Sequence, residues 1–135
     1  MPGETIDREP SGFGEPRRGV TEALDGVLRA LSNPRRRVAL YYLADRRRVG
    51  VLELARHVAA WERTLPPDGV PPADARRAYL EFVRTHLPLL TECGLVEYDV
   101  EDGTVEYVAR GTSERCLRSV RDLEAETLPE WLAQR

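Results

Sequence analysis

The chain has 135 residues, a length that predicts one compact domain. All 20 basic residues are Arg and 23 residues are acidic, so the formal net charge is −3, and the Lys-free composition is typical of a salt-adapted cytosol. No apolar run is long enough to span a membrane, no secretory signal is recognisable, and no common catalytic or nucleotide-binding spacing is present, so we expect a cytoplasmic protein that is neither membrane-bound nor an enzyme.

The N-terminal residues 1–18 have the composition of a flexible tail, with three Pro and three Gly among alternating charges. We therefore expect the fold to begin near Gly19. A first amphipathic helix is predicted from Val20, because apolar residues recur at the i, i+3, i+4, i+7 spacing of one helical face. We expect this stripe to pack on the core, and its members are Val20, Ala23, Leu24, Val27, Leu28 and Leu31.

A second helix is predicted from Pro34 to about Asp45. Asn33 suits the N-cap, where its side chain accepts a free N–H group, and Pro34 suits the first helical position. The centre of this helix is apolar nearly all round and is expected to be buried. A short extended connector, Val49–Val51, leads to a third helix, which the Pro-rich segment Thr64–Pro72 stops. Its expected core stripe is Leu54, Ala55, Val58 and Ala59.

A fourth helix is predicted from about Ala73 to Glu92, with Gly94 just beyond it as a residue that adopts positive φ. Pro88 removes one backbone hydrogen bond and is expected to kink the helix. His86 falls on the apolar face, where we expect a buried, hydrogen-bonded histidine rather than a ligand or catalyst. The apolar face comprises Ala75, Tyr79, Phe82, His86 and Leu90, with Arg77 and Arg84 on the opposite face.

Two β-rich runs, LVEYDV at 95–100 and TVEYVA at 104–109, are joined through Asp102-Gly103, which predicts a β-hairpin. A C-terminal helix follows over about residues 113–126, with a further helical turn from Pro129. Its apolar residues Val120, Leu123 and Trp131 either pair with a second copy of the chain or cap the core of their own domain.

Three segments resemble a known family of regulators. LSNPRRRVALYYL at 31–43, VGVLELARHVAAWE at 49–62 and THLPLLTECGLVEYD at 85–99 are similar to the helix-turn-helix segments of ArsR-type winged-helix regulators. The Asn-Pro-Arg-Arg-Arg, Val-Ala-Ala-Trp-Glu and Thr-His-Leu-Pro runs also resemble an uncharacterised winged-helix family of halophilic archaea. The element order is that of a winged helix-turn-helix domain. We therefore expect a mainly α fold with a small β-hairpin (α+β), organised as a winged helix-turn-helix domain at 19–110 and a C-terminal helical extension at 111–135.

The resemblance implies a transcriptional regulator that binds double-stranded DNA, probing the major groove with the helix at about 73–92. The charge distribution agrees, since residues 17–63 hold 11 Arg and 5 acidic residues, whereas residues 91–135 hold 5 Arg and 11 acidic residues. Arg77 and Arg84 are the first candidates, and Arg36 is expected to be a structural ion-pair partner. The groove candidates are Arg76, Arg77, Leu80, Glu81 and Arg84, and the phosphate candidates are Arg35, Arg37, Arg46, Arg47 and Arg48. The Arg clusters also fit solvated helix ends.

An adaptor without direct DNA binding is the alternative function, because the hairpin is acidic and phosphates repel it. In that hypothesis the hairpin or the C-terminal helix binds a protein partner. Cys93 and Cys116 have neither zinc nor redox spacing, so we expect no metal and no cofactor, and buried cysteines are favoured over redox sensors. The expected oligomer is a homodimer, which would place two recognition helices about 34 Å apart, one DNA turn. The acidic residues of the hairpin are Glu97, Asp99, Glu101, Asp102 and Glu106.

Overall fold

The computed structural model describes residues 14–133. This part of the chain is mainly helical, with one small antiparallel sheet, in agreement with the predicted α+β class. Its helices are α1 (Gly14–Leu31), α2 (Pro34–Arg46), α3 (Val51–Arg63), α4 (Pro72–Glu81), α5 (Leu87–Glu92), α6 (Thr112–Glu124) and α7 (Glu130–Ala133), and its strands are β1 (Arg48–Gly50), β2 (Val96–Asp99) and β3 (Thr104–Tyr107). None of the helices in this range is long and apolar enough to cross a membrane.

Helix α1 differs from its prediction in two ways. It begins at Gly14, five residues before the expected start, with Pro16 in its first turn, where the missing N–H costs no intrahelical bond. Only part of the predicted stripe is buried, because α1 packs against α2 and α6 along one narrow side. Val27 and Leu31 face the core. Val20, Leu24 and Leu28 were wrongly assigned to the core and are exposed.

The local signals at the start of α2 are confirmed. The Oδ1 atom of Asn33 accepts the backbone N–H of Arg35 at 2.9 Å, and Pro34 occupies the first helical position. The apolar centre of α2, Val38–Leu43, is buried between its neighbours as predicted. Arg47 ends the helix with φ of 75°, and its N–H donates to the carbonyl of Leu43.

The predicted fourth helix is observed as α4 and α5 joined by a π turn, Phe82–His86. The N–H of Leu87 donates to the carbonyl of Phe82, five residues earlier. Pro88 has no N–H to donate, and this wider turn just before it lets the helix continue without that hydrogen bond. The sequence predicted only a kink at this point. The apolar face is confirmed: Tyr79 is half-buried, and Ala75, Phe82, His86 and Leu90 are buried. Gly94 has φ of +77°, as predicted.

The hairpin is confirmed as β2 and β3, and the predicted connector adds a third strand, β1. The strand order is β1-β3-β2, and all pairs are antiparallel, with Val105 of β3 opposite both Val49 and Tyr98. The hairpin turn is fastened to α3, because the carbonyl of Gly103 accepts the N–H of Val51 at 2.9 Å. The sheet is thereby tied to the first residue of α3.

The third and C-terminal helical regions also agree with their predictions. The α3 stripe is buried, and α3 packs mainly against α4 and α2. The Pro-rich connection begins with Thr64 in the left-handed conformation, at φ of 57°, and contains one 3-10 turn, Pro67–Gly69. It buries Val70 against the α3–α4 contact. After α6, a 3-10 turn, Ala125–Thr127, leads to α7, whose Leu132 is fully buried.

Candidate nucleic-acid interface

An exposed stripe on α4 and the π turn carries two basic side chains that a ligand can reach. Arg76, Leu80 and Arg84 follow one another at i, i+4 and i+8, so they lie along one side of the helix, and all three are exposed. Neither Arg76 nor Arg84 forms an ion pair within residues 14–133. We call these three residues the α4 stripe. It presents two free guanidinium groups around an apolar side chain.

Arg77, the third basic residue of α4, lies beside the stripe and is already paired. Its Nη1 atom lies 3.3 Å from Oδ1 of Asp74, one turn earlier, although 73% of the Arg77 side chain is exposed. The other oxygen of Asp74 lies 3.0 Å from Nη1 of Arg63 in α3. Asp74 therefore links α3 to α4, and Arg77 needs only a side-chain rotation to leave it.

Arg35 and the predicted groove residue Glu81 are paired with each other. Nε and Nη2 of Arg35 donate to Oε2 of Glu62 in α3, with an Nε to Oε2 distance of 3.0 Å, and Nη1 donates to Oε2 of Glu81 in α4 at 3.1 Å. The hydrogen bond to Glu62 raises the pKa of Arg35, and the charges of Glu62 and Glu81 add to this. Arg35 thus fastens the start of α2 to both neighbouring helices.

Arg37 points away from this surface towards α6. It donates from Nε and Nη2 to the two carboxylate oxygens of Glu124 at 2.9 and 3.0 Å, and from Nη1 to the carbonyl of Leu31 at 2.7 Å. The hydroxyl of Tyr41 donates to the same carboxylate at 2.6 Å. The structure therefore places Arg37 in a link between α2, α6 and the end of α1, separate from the α4 stripe.

The second Arg triplet is divided among three different environments. The guanidinium of Arg46 lies 4.8 Å from the centre of the Tyr42 ring, and that of Arg47 lies 5.3 Å from the centre of the Tyr107 ring. Arg48 lies on the sheet among the acidic residues of the hairpin, with Nη2 3.3 Å from Oδ2 of Asp102. Asp99 and Glu106 lie 4.0 and 3.9 Å from the same guanidinium. The triplet therefore forms no continuous basic surface.

Arg36 in α2 and His86, the last residue of the π turn, form the buried polar contact of this region. The expectation of an ion pair for Arg36 is wrong, because Nε donates to the carbonyl of Ala30 at 2.9 Å and Nη2 to that of Arg29 at 3.2 Å. Arg36 thus satisfies carbonyls at the end of α1, which have no partner within the helix. Its Nη1 atom lies 3.4 Å from Nδ1 of His86. Burial and the charge of Arg36 lower the pKa of His86, whose Nε2 atom has no hydrogen-bond partner in the described part of the chain.

The sequence predictions thus separate into three groups. Arg35, Arg77 and Glu81 surround one depression, which Glu62, Arg63 and Asp74 complete. The α4 stripe lies beside this depression, whereas Arg37 and Arg46–Arg48 lie elsewhere. Glu62, Arg63 and Asp74 were missed by the sequence analysis. Only the Asp74–Arg77 spacing of three residues was readable, because the other pairs depend on how the helices pack.

One family model matches residues 28–106, which is 79 of the 135 residues. The chain belongs to DUF7344, a family described as a domain of unknown function. No curated protein and no solved structure matches the chain.

The DUF7344 match begins near the end of α1 and ends in β3. It therefore includes α2, α3, the α4 stripe, the depression and the hairpin, whereas α6 and α7 lie beyond it. Within the DUF7344 region and the rest of the described chain, no group of three His, Cys, Asp or Glu residues is arranged to hold a metal ion. Cys93 and Cys116 are free and partly buried, and burial raises the pKa of Cys93.

The C-terminal residues outside the DUF7344 match have unequal exposure. Val120 is partly buried against the core of its own domain. Trp131 packs edge-on against Tyr42 and His57, with ring centres 6.1 and 5.2 Å apart. Leu123 is 84% exposed. Of the three residues predicted for dimerisation, only Leu123 is thus open to a partner in this structure.

Proposed function

We propose that this DUF7344 protein binds double-stranded DNA as a winged helix-turn-helix regulator and places α4 in the major groove. The observation that carries the proposal is the α4 stripe, with Arg76 and Arg84 unpaired on one exposed side of a helix. Two further features support it. Helix α4 packs on α3, which follows α2 and a short strand, and an antiparallel hairpin follows α5, as in winged-helix domains. Such a regulator would work in the cytoplasm, and no catalysis is proposed.

The chemistry of the stripe suits a groove containing bases and phosphates. The planar guanidinium group pairs with O6 and N7 of guanine or with two phosphate oxygens, and an apolar side chain between two Arg residues suits a thymine methyl group. Leu80 supplies that apolar contact in the proposal. The helix that continues through the π turn and α5 keeps one face in the core, through Phe82, His86 and Leu90, while the α4 stripe stays exposed.

The acidic hairpin restricts how DNA can lie against the protein. Its carboxylates repel phosphates, and Arg48, the basic side chain among them, is already surrounded by Asp99, Asp102 and Glu106. We therefore expect α4 to make the DNA contacts and the hairpin to face away from the phosphate backbone. Activation or repression would then depend on where the operator lies.

Binding of labelled duplexes over a KCl series tests the proposal. We expect the variant Arg76→Ala with Arg84→Ala to bind more weakly and to reduce the steepness of log affinity against log salt by about 1.8 for each protomer bound, if each Arg holds one phosphate. The matched control is Arg115→Ala with Arg118→Ala, which removes two exposed charges from α6 and should leave the slope unchanged. Absence of a bound species for the unaltered protein, with both random duplexes and genomic fragments, would count decisively against DNA binding.

A protein adaptor is the second candidate, favoured by the exposed acidic face of the sheet. The hairpin carries five carboxylates, and three of them, Asp99, Asp102 and Glu106, surround Arg48, so the face fits a partner with clustered basic residues. A partner captured by the unaltered protein should be lost by Glu97→Lys with Glu101→Lys and kept by Glu126→Lys, in the 3-10 turn that follows α6. Equal capture by all three proteins would remove the basis of this candidate.

We also propose a homodimer, with contacts that differ from those predicted from the C-terminal helix alone. Four exposed apolar residues lie on the packed pair α1 and α6, namely Val20, Leu24, Leu28 and Leu123. A two-fold pairing would bury them in both copies. Leu28→Gln with Leu123→Gln should shift the mass measured by light scattering from dimer to monomer, whereas Val100→Gln, an exposed apolar residue of the hairpin, should not. A monomeric mass for the unaltered protein at micromolar concentration would refute the dimer.

A further inference from the structure

The depression beside the α4 stripe contains a balanced set of charges that the proposed DNA contact does not use. Arg35, Arg63 and Arg77 supply three positive charges, and Glu62, Asp74 and Glu81 supply three negative charges, drawn from α2, α3 and α4. The paired side chains are one-fifth to three-quarters exposed, so a docked polyanion can reach them. The surface that would face the phosphates therefore already holds carboxylates against its guanidinium groups.

Arg35 uses most of its hydrogen-bond donors in these ion pairs. A guanidinium group has five N–H donors, and three of those on Arg35 are directed to the oxygens of Glu62 and Glu81. A phosphate would be bound by the same type of charge-assisted N–H to oxygen bond. The two carboxylates thus occupy on Arg35 the positions that phosphate oxygens would take.

We propose that Glu62 and Glu81 are specificity-determining residues, which hold Arg35 away from DNA until correct docking exchanges their carboxylates for phosphates. The inference rests on the proposed DNA binding and adds a control on it, namely when Arg35 becomes available to a phosphate. Exposed ion pairs are weak, so a well-placed phosphate displaces a carboxylate at small cost, whereas loosely bound DNA gains nothing from the exchange. Because one ion pair replaces another, the exchange also makes binding less sensitive to salt.

The test measures affinity for a labelled random 30-base-pair duplex between 0.1 and 1 M KCl. In Glu62→Gln with Glu81→Gln, Arg35 is free to hold one phosphate, so the slope of log affinity against log salt should steepen by about 0.9 for each protomer bound. For one bound protomer, the gain in affinity over the unaltered protein should then be about eightfold larger at 0.1 M than at 1 M salt. Adding Arg35→Gln to these two substitutions should return the slope to its original value.

The matched control is Glu114→Gln, which frees Arg118 on α6 from a similar exposed ion pair of 3.2 Å and should leave both affinity and slope unchanged. An unchanged slope in the double variant, or a gain that survives removal of Arg35, overturns the inference while the proposed function stands. If no protein in the series binds at any salt, the proposed function fails together with the inference. Binding by the double variant alone supports the inference, because the carboxylates then block the surface.

Discussion

Individual residues were predictable where their role depends on near neighbours in the chain. Asn33 caps α2 through a contact to Arg35, two residues away, and the periodicity of the fourth helix placed His86 in the core. Arg36 was misjudged because its partners are backbone carbonyls of another helix. Every residue has a carbonyl, so the sequence does not show which carbonyls a distant side chain will contact. Side-chain identity thus predicts local hydrogen bonds but not those that tertiary packing brings to the backbone.

The contacts of Arg36 with the α1 carbonyls are expected to stabilise the fold. Arg36→Met keeps the apolar stem but leaves the buried carbonyl of Ala30 without its donor, so the free energy of unfolding should fall by about 1–3 kcal/mol. The exposed Arg84→Met provides the comparison and should change it by less than about 0.5 kcal/mol. Urea unfolding at neutral pH measures both. Similar values for the two variants would show that the carbonyl contacts contribute no stability.

His86 predicts a loss of stability on acidification. Burial, with the charge of Arg36, lowers its pKa in the folded protein, so the unfolded chain binds a proton more readily. The free energy of unfolding should therefore fall as the pH drops through and below the ordinary His value near 6.5. Burial lowers the pKa of His57 as well. His86→Gln should remove part of the acid sensitivity between pH 7 and 5 measured by thermal unfolding, and His57→Gln with His86→Gln should remove the rest. Parallel pH profiles for all three proteins would exclude the histidines as its cause.

At the scale of elements, the sequence predicted where helices and strands lie better than which faces they bury. The apolar residues of α1 do recur at helical spacing, but the neighbouring helices cover only the side with Val27 and Leu31. The spacing of apolar residues predicts which side of a helix is apolar, but not how much of that side its neighbours cover. The π turn arose from the conflict between Pro88 and a continuing helix, and the sequence showed only the conflict. Strand β1 was visible only as a connector, because its pairing with β3 joins residues more than 50 positions apart.

The docking of α6 gives a prediction for one element. Burial alone would raise the pKa of Glu124, but hydrogen bonds from Arg37 and Tyr41 bring it below its ordinary value. Glu124→Gln weakens these charge-assisted bonds and should lower the free energy of unfolding by about 1–3 kcal/mol. Glu114→Gln, in the same helix, breaks an exposed i,i+4 pair and should cost less than about 0.5 kcal/mol. Chemical denaturation compares them, and equal effects would show that the Glu124 network does not hold α6.

For the whole molecule, folding brings the basic and acidic parts of the chain together. Arg37 pairs with Glu124, Arg48 with the acidic hairpin, and Arg121 of the acidic part with Asp45 of the basic part, with both Arg121 and Asp45 largely buried. Arg37 and Arg48 of the basic part are therefore paired with carboxylates of the acidic part. On α4 and the π turn, Arg76 and Arg84, which are exposed and unpaired within the described residues, lie in the segment where basic and acidic residues balance, so the net charge of a segment was a poor guide to the candidate site.

The last prediction joins the proposed dimer to the proposed DNA contact. A two-fold dimer would bring two α4 stripes to one duplex, so it should neutralise twice as many phosphates as a monomer, and each phosphate contributes about 0.9 to the slope of log affinity against log salt. Leu28→Gln with Leu123→Gln, which adds no charge, should therefore bind with about half the slope of the unaltered protein. Val100→Gln should keep the full slope. An unchanged slope in a variant that light scattering shows to be monomeric would mean that each copy contacts DNA independently. The dimer would then not place both α4 stripes on one duplex.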